Sequence, residues 1–284
     1  MQMNFTEKQL LDFIDLALLE DVGDGDHTSL STIPQGTQNT AQLLVKEAGI
    51  LAGVQVGVTI LKRVDPELTI DVLLKDGDLI KPGDIVLKVS GSAHSILKAE
   101  RLMLNVMQRM SGVATSTNKI INLVSHTKCK ILDTRKTTPL MRFLEKEAVL
   151  IGGGYNHRYG LYDMILIKDN HVDYAGGTRA AIANAKQYLK NTGRNLAIEI
   201  ETRSIAEVKE ALAEGGFQRI MFDNFSFEEI RSAVALVNGQ YETEASGGIT
   251  VENVVQYAEC GVDFISMGAL THSVKALDLS LKAV

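Results

Sequence analysis

From Ser111-Gly112 onward one pattern repeats: a short apolar run, an ending in polar or glycine residues, then a segment with helical spacing. The runs start near Ile131, Met164, Leu196, Ile220, Tyr241 and Phe264, and segments such as 205–213 and 251–258 carry apolar residues at helical intervals. The later runs fall about 22 residues apart, brief for a β/α unit but adequate. Repeated β/α units predict either a parallel barrel or a doubly wound sheet. Every run has a chemically loaded ending: Asp133-Thr134-Arg135-Lys136, Lys168-Asp169-Asn170, Glu199 with Glu201, Asp223-Asn224, Ser246-Gly247-Gly248 and Met267-Gly268-Ala269. A doubly wound sheet would concentrate its site at one switch point, so polar endings on every run favour the barrel.

The region before Ser111 follows different rules. Thr6 and Gln9 form a capping-box pattern ahead of Leu10, Ile14 and Leu18, predicting a first helix that ends near Asp21. The loop D-V-G-D-G-D-H-T-S places Asp21, Asp24 and Asp26 close together, but the twelfth position counted from Asp21 is Thr32, where an EF-hand needs Glu; it reads as a structured loop. Strands are expected over 42–46, 68–74 and 85–89, with a helix over 52–64 and turns at Lys75-Asp76-Gly77-Asp78 and Lys81-Pro82-Gly83-Asp84. An amphipathic helix over 95–110 carries Arg101 and Arg109, for which ordinary surface arginines are the default reading. This region reads as α+β, without the strand-helix alternation of a barrel, and the chain as a whole is α/β. An N-terminal α/β domain spans 1–110, a barrel domain 111–270, and a C-terminal helix or tail over 271–284 is expected to pack back on the first domain.

With 284 residues, 45% hydrophobic and 23% charged, the chain can bury a large core. A net charge of −6 argues against nucleic-acid or anionic-membrane partners, which need a basic surface. No apolar run is long enough to span a bilayer, and Asp12 and Asp15 interrupt the N-terminal apolar residues, so no secretory signal is read and a cytoplasmic location is expected. Cys129 and Cys260 have no metal-ligand spacing and are expected to be small buried residues.

Any anion site must then be a local concentration of cations, and the stretch from Lys130 to His171 supplies one. Arg135, Lys136, His157, Arg158, Lys168 and His171 fall at or beside the ends of two apolar runs. Arginine binds carboxylate or phosphate oxygens two at a time, and lysine adds a mobile point charge. Between these runs, Arg142, Glu145, Lys146 and Glu147 read as the wet face of a helix. Glu201 and Asp223 would face the cations across a barrel mouth, either as hard oxygen ligands for magnesium or as ion-pair partners of the lysines. Ser246-Gly247-Gly248 and Gly268-Ala269 suit close backbone approach to a phosphate, though tight turns would also explain the glycines.

The motifs E-D-V-G-D-G-D-H-T, A-E-R-L-M-L-N, S-G-V-A-T, D-T-R-K-T-T-P, N-H-R-Y-G-L-Y-D, I-K-D-N-H, F-D-N-F, E-A-S-G-G-I and S-M-G-A-L-T occur in this order from the first helix to near the C-terminus. In that combination the chain resembles the quinolinate phosphoribosyltransferases. The resemblance implies an N-terminal open α/β sandwich, an incomplete parallel α/β barrel, and a homodimer with active sites shared between subunits. It implies that Arg101, Thr134, Arg135, Lys136, His157, Arg158 and Lys168 bind quinolinate or phosphoribosyl pyrophosphate, with Lys136, Lys168, Glu201 and Asp223 in the catalytic set. Glu201 and Asp223 would serve the ribose and Mg2+, with Glu199 the alternative to Glu201. Ser246, Gly247, Gly248, Met267, Gly268 and Ala269 would hold the 5′-phosphate. Leu140 departs from the pattern, which has glycine after T-T-P.

The implied reaction transfers phosphoribosyl to the quinolinate nitrogen and releases pyrophosphate and carbon dioxide. It needs no protein nucleophile, and no convincing Ser-His-Asp or Cys-His set is present. Rival readings are the molybdenum-associated paralogue of the family, a nicotinate phosphoribosyltransferase without decarboxylation, and a catalytically silent anion-binding barrel acting as a sensor. The silent barrel would not need an acidic pair such as Glu201 and Asp223. The unrelated phosphoribosyltransferase type, marked by adjacent acidic residues before a glycine-threonine loop, has no match.

Overall fold

A computed structural model describes residues 5–284 and divides into two compact units. The first gathers residues up to Asn118 with Thr137–Gly153 and Leu270–Val284; the second gathers Lys119–Lys136 and Gly154–Ala269.

In the first unit, helix α1 (Glu7–Val22) starts at Thr6, whose Oγ1 accepts the Gln9 N–H, and buries Leu10 and Ile14. Asp26 caps the short α2 (His27–Thr32) by accepting the Ser29 N–H, so the acidic loop has a structural use. Strands β1 (Gln38–Val45), β3 (Thr69–Val72) and β5 (Ile85–Ser92) pair antiparallel, while β2 (Gly49–Ile50) and β4 (Leu79–Ile80) form a minor ladder. Asp78 and Asp84 close the two expected turns by accepting the Lys75 and Lys81 N–H groups. Helix α3 (Val54–Val64) packs on α4 (Ala93–Val124) at Gly57, where an added Cβ would meet Met107 Sδ at 2.6 Å.

Three features of this unit differ from expectation. The long helix does not stop at Met110: α4 is 32 residues long and runs through Ser111-Gly112. Ser111 hydrogen-bonds both the N–H and the carbonyl of Ala52, and a Cβ on Gly112 would lie 2.3 Å from the Lys275 carbonyl. These small residues allow close approach rather than a break. The C-terminal segment forms a strand, β12 (Leu279–Ala283), antiparallel to β1 at the edge of the sheet order β12-β1-β5-β3.

The third difference is α5 (Arg142–Ile151), whose expected wet face is buried. Glu145 and Lys146 are fully inaccessible and Glu147 is 5% exposed, alongside buried Phe143, Leu144, Ala148 and Val149. A helix covered on all sides can hold charges only if they are paired. Glu145 accepts from Arg109 Nε and Nη2 at 3.0 and 2.8 Å and from the Thr138 N–H and hydroxyl at 3.0 and 2.8 Å. Arg109 also donates to the Thr271 and Val274 carbonyls, so it is a structural bolt and not a surface residue. Gly152 presses the end of α5 onto α4, since a Cβ there would meet the Ala114 carbonyl at 2.5 Å.

The second unit is built on β6 (Lys130–Leu132), β7 (Ile165–Ile167), β8 (Ile198–Thr202), β9 (Arg219–Asp223), β10 (Glu242–Ser246) and β11 (Phe264–Ser266). Each expected run is a strand, all pairings are parallel, and the order is β6-β11-β10-β9-β8-β7. Chain order is kept around the sheet and the first strand lies beside the last, which is barrel topology without the reversal of a doubly wound sheet. β6 and β7 do not pair, so the barrel is incomplete. Beside β6, Tyr155 donates its N–H to Ile131 and accepts from the Asp133 N–H, and this short bridge leads straight into His157. Helices including α6 (Asp169–Ala175), α7 (Thr178–Thr192), α8 (Ile205–Glu214), α9 (Phe227–Val237) and α10 (Val254–Glu259) connect the strands. Cys129 and Cys260 are buried, and burial pushes the Cys129 thiol up to about 12.

Candidate active site

Because the six strands are parallel, their C-terminal endings meet at one end of the barrel. Thr134, Arg135 and Lys136 follow β6, Lys168 follows β7, Glu201 lies near the end of β8, and Asp223 ends β9. Ser246-Gly247-Gly248 and Gly268-Ala269 follow on β10 and β11.

The cations are arranged for an anion. Arg135 is half-buried, and its Nε is a buried donor with no hydrogen-bond partner. Burial, and next the neighbouring Arg135, weaken the hold of Arg158 on its proton, although Glu199 and Asp163 oppose this. Two guanidiniums kept close in a partly dry place repel one another, and an incoming carboxylate or phosphate relieves both that repulsion and the unmet donor. Arg158 is steadied by a 3.3 Å hydrogen bond from Nη1 to the Met164 carbonyl. The Thr134 hydroxyl accepts the Lys136 N–H at 3.0 Å, which shapes the loop that carries both cations.

The acids lie on the neighbouring strands β8 and β9. Lys168 Nζ lies 3.8 Å from Glu201 Oε2, and Glu201 is 8% exposed. Burial pushes the Glu201 carboxyl above its ordinary range; Lys168 opposes that, while Asp223 and Asp169 add to it. Glu199 occupies a different place, fully buried one layer below. Alternate residues of β8 face the barrel interior, so Glu201 reaches the mouth and Glu199 the floor.

His157 differs from the other expected cations. It is 9% exposed, Nδ1 accepts the Arg158 N–H at 2.8 Å, and Nε2 lies 2.9 Å from Glu199 and 3.6 Å from Glu244. Nδ1 is therefore engaged within the chain, and Nε2 faces two buried carboxylates. Arg101 belongs to the first unit, exposed on α4. His171 accepts the Lys168 N–H through Nδ1 and caps α6.

In the glycine loops, Gly247 (φ +87°) and Gly248 (φ +60°) adopt left-handed backbone. A Cβ on Gly247 would meet Asn224 Oδ1 at 2.4 Å, so this position requires glycine. Ser246 and Ser266 hydroxyls are 3.1 Å apart. Met267 does not fit a phosphate role: it is 1% exposed and its N–H is donated to the Leu132 carbonyl. Leu140, which replaces the expected glycine, has φ +63° and is 80% exposed. The loop keeps the glycine-like conformation and carries its strain on a leucine.

Sequence reading missed Arg219, Glu242 and Glu244. Arg219 Nη1 lies 3.0 Å from Glu244 Oε2, Nη2 lies 3.0 Å from Glu242, and the guanidinium stacks 3.9 Å over Phe264. Their signal was charge at alternate positions, E-I-E on β8 and E-T-E on β10; Glu199, Glu201 and Glu244 are buried, while Glu242 is exposed at the start of β10. Burial pushes the Glu199 carboxyl up to about 7, and burial together with the charge of Glu199 pushes Glu244 up to about 8.

Comparison with known proteins agrees with this architecture. Residues 26–111 and 113–282 match the family models described as quinolinate phosphoribosyl transferase, N-terminal and C-terminal domain. The chain is 49% identical to a chloroplastic nicotinate-nucleotide pyrophosphorylase [carboxylating] of Arabidopsis thaliana, with 95% of this chain and 81% of the relative covered. It is 41% identical to a probable nicotinate-nucleotide pyrophosphorylase [carboxylating] of Bacillus subtilis, over 96% and 93%. The structure of NadC from Streptococcus pyogenes superposes with a TM-score of 0.93 at 38% identity, covering 100% of both chains. A nicotinate-nucleotide pyrophosphorylase from Francisella tularensis gives 0.93 at 37%, with the same coverage. On sequence, fold and family models together, the chain belongs to the quinolinate phosphoribosyltransferase family.

Proposed function

We propose that this chain transfers the phosphoribosyl group of phosphoribosyl pyrophosphate to quinolinate, with decarboxylation, to give nicotinate mononucleotide, pyrophosphate and carbon dioxide for NAD biosynthesis. The observation that carries this reading is the half-buried pair Arg135 and Arg158, with a buried, unmet Arg135 donor, at the same barrel end as Lys168 and Glu201. A dicarboxylate satisfies such a cluster better than a monocarboxylate does.

In this reading Arg135, Arg158 and Lys168 hold the two quinolinate carboxylates and aim the ring nitrogen at the anomeric carbon. Lys136 and Thr134 contribute at the same loop, while Ser246, Gly247, Gly248, Gly268 and Ala269 hold the 5′-phosphate. The nitrogen forms a bond to that carbon as the bond to pyrophosphate breaks, and positive charge develops on the sugar. Glu201 and Asp223 stabilise that charge. The ring nitrogen is then cationic, so the adjacent carbon can release its carboxylate as carbon dioxide, keep the electron pair and take up a proton. Positioning supplies up to about 7–11 kcal/mol of such a barrier when alignment is good.

Glu201 and Asp223 also fit magnesium. Both offer hard oxygen donors; burial does most to raise the Glu201 carboxyl, and the charges of Asp223 and Asp169 add to it, which a divalent cation between the acids relieves. When bound, the ion neutralises charge on the departing pyrophosphate. The same reading makes the protein a cytoplasmic homodimer in which Arg101 of one subunit completes the partner's site. No helix among the described residues is long and apolar enough to cross a membrane.

The test is direct. Purified protein given quinolinate, phosphoribosyl pyrophosphate and magnesium should release carbon dioxide and nicotinate mononucleotide together, and excess chelator should stop both without unfolding the chain. A folded protein that produces neither would sink the reading. Full activity in chelator would return Glu201 and Asp223 to ion-pair roles.

A further inference from the structure

Asp133 is fully buried at the point where β6 ends and the cation-bearing loop begins, and the chemistry just described gives it no role. Three hydrogen bonds join this point to the segment that follows α5. Tyr155 gives its N–H to the Ile131 carbonyl at 2.9 Å, Asp133 gives its own N–H to the Tyr155 carbonyl at 3.1 Å, and the His157 N–H goes to Asp133 Oδ1 at 2.9 Å. The first two bonds follow the slanted, alternate-residue pattern of a parallel ladder. Continued, that ladder would send the His157 N–H to the main-chain carbonyl of Asp133, and the side chain takes the carbonyl's place. The backbone can then turn away at Thr134, whose hydroxyl accepts the Lys136 N–H, while the buried His157 N–H keeps an acceptor.

The consequence falls on two guanidiniums. Arg135 lies two residues after Asp133 and Arg158 one residue after His157, so this side-chain hydrogen bond ties together the two stretches of chain that carry them. Their charges oppose that closeness: burial, and next the charge of Arg135, weaken the hold of Arg158 on its proton. Like charges move apart unless the backbones beneath them are fastened. On the Arg158 side, Asp163 accepts the Tyr159 and Gly160 N–H groups at 2.6 and 2.8 Å, and the Met164 carbonyl accepts from Arg158 Nη1. Those bonds shape the 158–164 turn internally; the bond from His157 to Asp133 fastens it to β6.

We propose that Asp133 is a positioning residue for dicarboxylate recognition: by accepting the His157 N–H it sets the Arg135 and Arg158 guanidiniums at the spacing of the two neighbouring carboxylates of quinolinate. This rests on the functional reading given above. Asp133 is inaccessible and touches no substrate. Its effect is on specificity, because a single carboxylate is met by one guanidinium, whereas two adjacent carboxylates need both at a fixed separation.

The experiment compares Asp133→Ala and Asp133→Asn with wild type in the full chain. Asparagine keeps an acceptor oxygen for the His157 N–H and removes the charge; alanine removes both. Calorimetric titration with quinolinate, and with nicotinate, which has one carboxylate, reads the spacing. Asp133→Ala should weaken quinolinate binding about tenfold or more, as expected when a binding group is misplaced, and leave nicotinate affinity nearly unchanged. Asp133→Asn should keep most of the quinolinate affinity. Hydrogen exchange at the His157 amide should be slow in wild type and Asp133→Asn and fast in Asp133→Ala. If alanine prevents folding, Asp133→Leu replaces it, since it has nearly the same shape without an acceptor. Equal losses for quinolinate and nicotinate, an asparagine variant as weak as alanine, or a His157 amide that exchanges rapidly in wild type overturns the proposal. The functional reading fails separately, on a wild type that makes no nicotinate mononucleotide, and the affinities and exchange rates then still decide the role of Asp133.

Discussion

Lys168 Nζ lies 3.8 Å from Glu201 Oε2 across the ends of the neighbouring strands β7 and β8, so one cation and one acid share the barrel mouth. If the strand-end cations carry quinolinate affinity, Arg135→Ala or Lys168→Ala leaves a substrate carboxylate without its partner. The expected loss is about 2–5 kcal/mol of binding in a desolvated site. Lys190→Ala, at the exposed end of α7, should change nothing. Calorimetric titration with quinolinate reads all three, and equal affinities would show that the site lies elsewhere.

Arg101 is exposed on α4 of the first unit, and the proposed dimer gives it to the partner's site. Arg101→Ala and Lys168→Ala should then each be nearly inactive alone. Unfolded, mixed equally and refolded, half of the dimers are hybrids, each with one intact site, so activity should recover to roughly a quarter of wild type. A mixture as inactive as its components, with hybrid dimers confirmed by size, would confine Arg101 to its own chain or remove it from the site.

The buried carboxyls on β8 and β10 make stability depend on pH in an unusual direction. Burial and the charge of Glu199 raise Glu244 from 4.5 to about 8 in the folded chain. Between those values the folded state holds more proton than the unfolded state, so stability is fullest below about pH 4.5 and is lost as pH rises through about 8. Glu244→Gln should flatten this part of the profile. Urea midpoints measured across that range check it, and a wild-type midpoint that rises over the whole interval while the variant stays parallel would refute the assignment.

Glu145 is fully inaccessible and joins Arg109 to the Thr138 loop. Glu145→Ala strands the guanidinium and two Thr138 donors, so it should cost about 3–5 kcal/mol of stability. Replacing both partners, Arg109→Met with Glu145→Leu, should cost distinctly less, because no unpaired charge is left. Denaturant unfolding of the single and double variants decides this, and a double variant as unstable as the single one would mean that the pair does more than neutralise itself.

What the sequence alone determined were the features with a local cause. Apolar runs of strand length, the residues that end them, the Thr6 cap and the aspartate-closed turns each depend on a few consecutive residues. Parallel strands also impose a common end, so Arg135, Lys168, Glu201 and Asp223 could be assigned to one mouth before any coordinates. Tertiary structure decided whatever depends on a partner distant in the chain. Helical spacing gave Glu145, Lys146 and Glu147 to solvent, but Glu145 is buried against Arg109, 36 positions away in sequence. Ser111-Gly112 looked like a break, yet the Ala52 and Lys275 backbones that approach it keep α4 continuous. The C-terminal residues became a strand because β1 offered an unpaired edge. His157 reads as a cation from its neighbours in sequence, and only the folding of β8 and β10 around it sets its ring between two buried carboxylates. The cost of burying a charge is set by what surrounds it, and those surroundings come from distant parts of the chain.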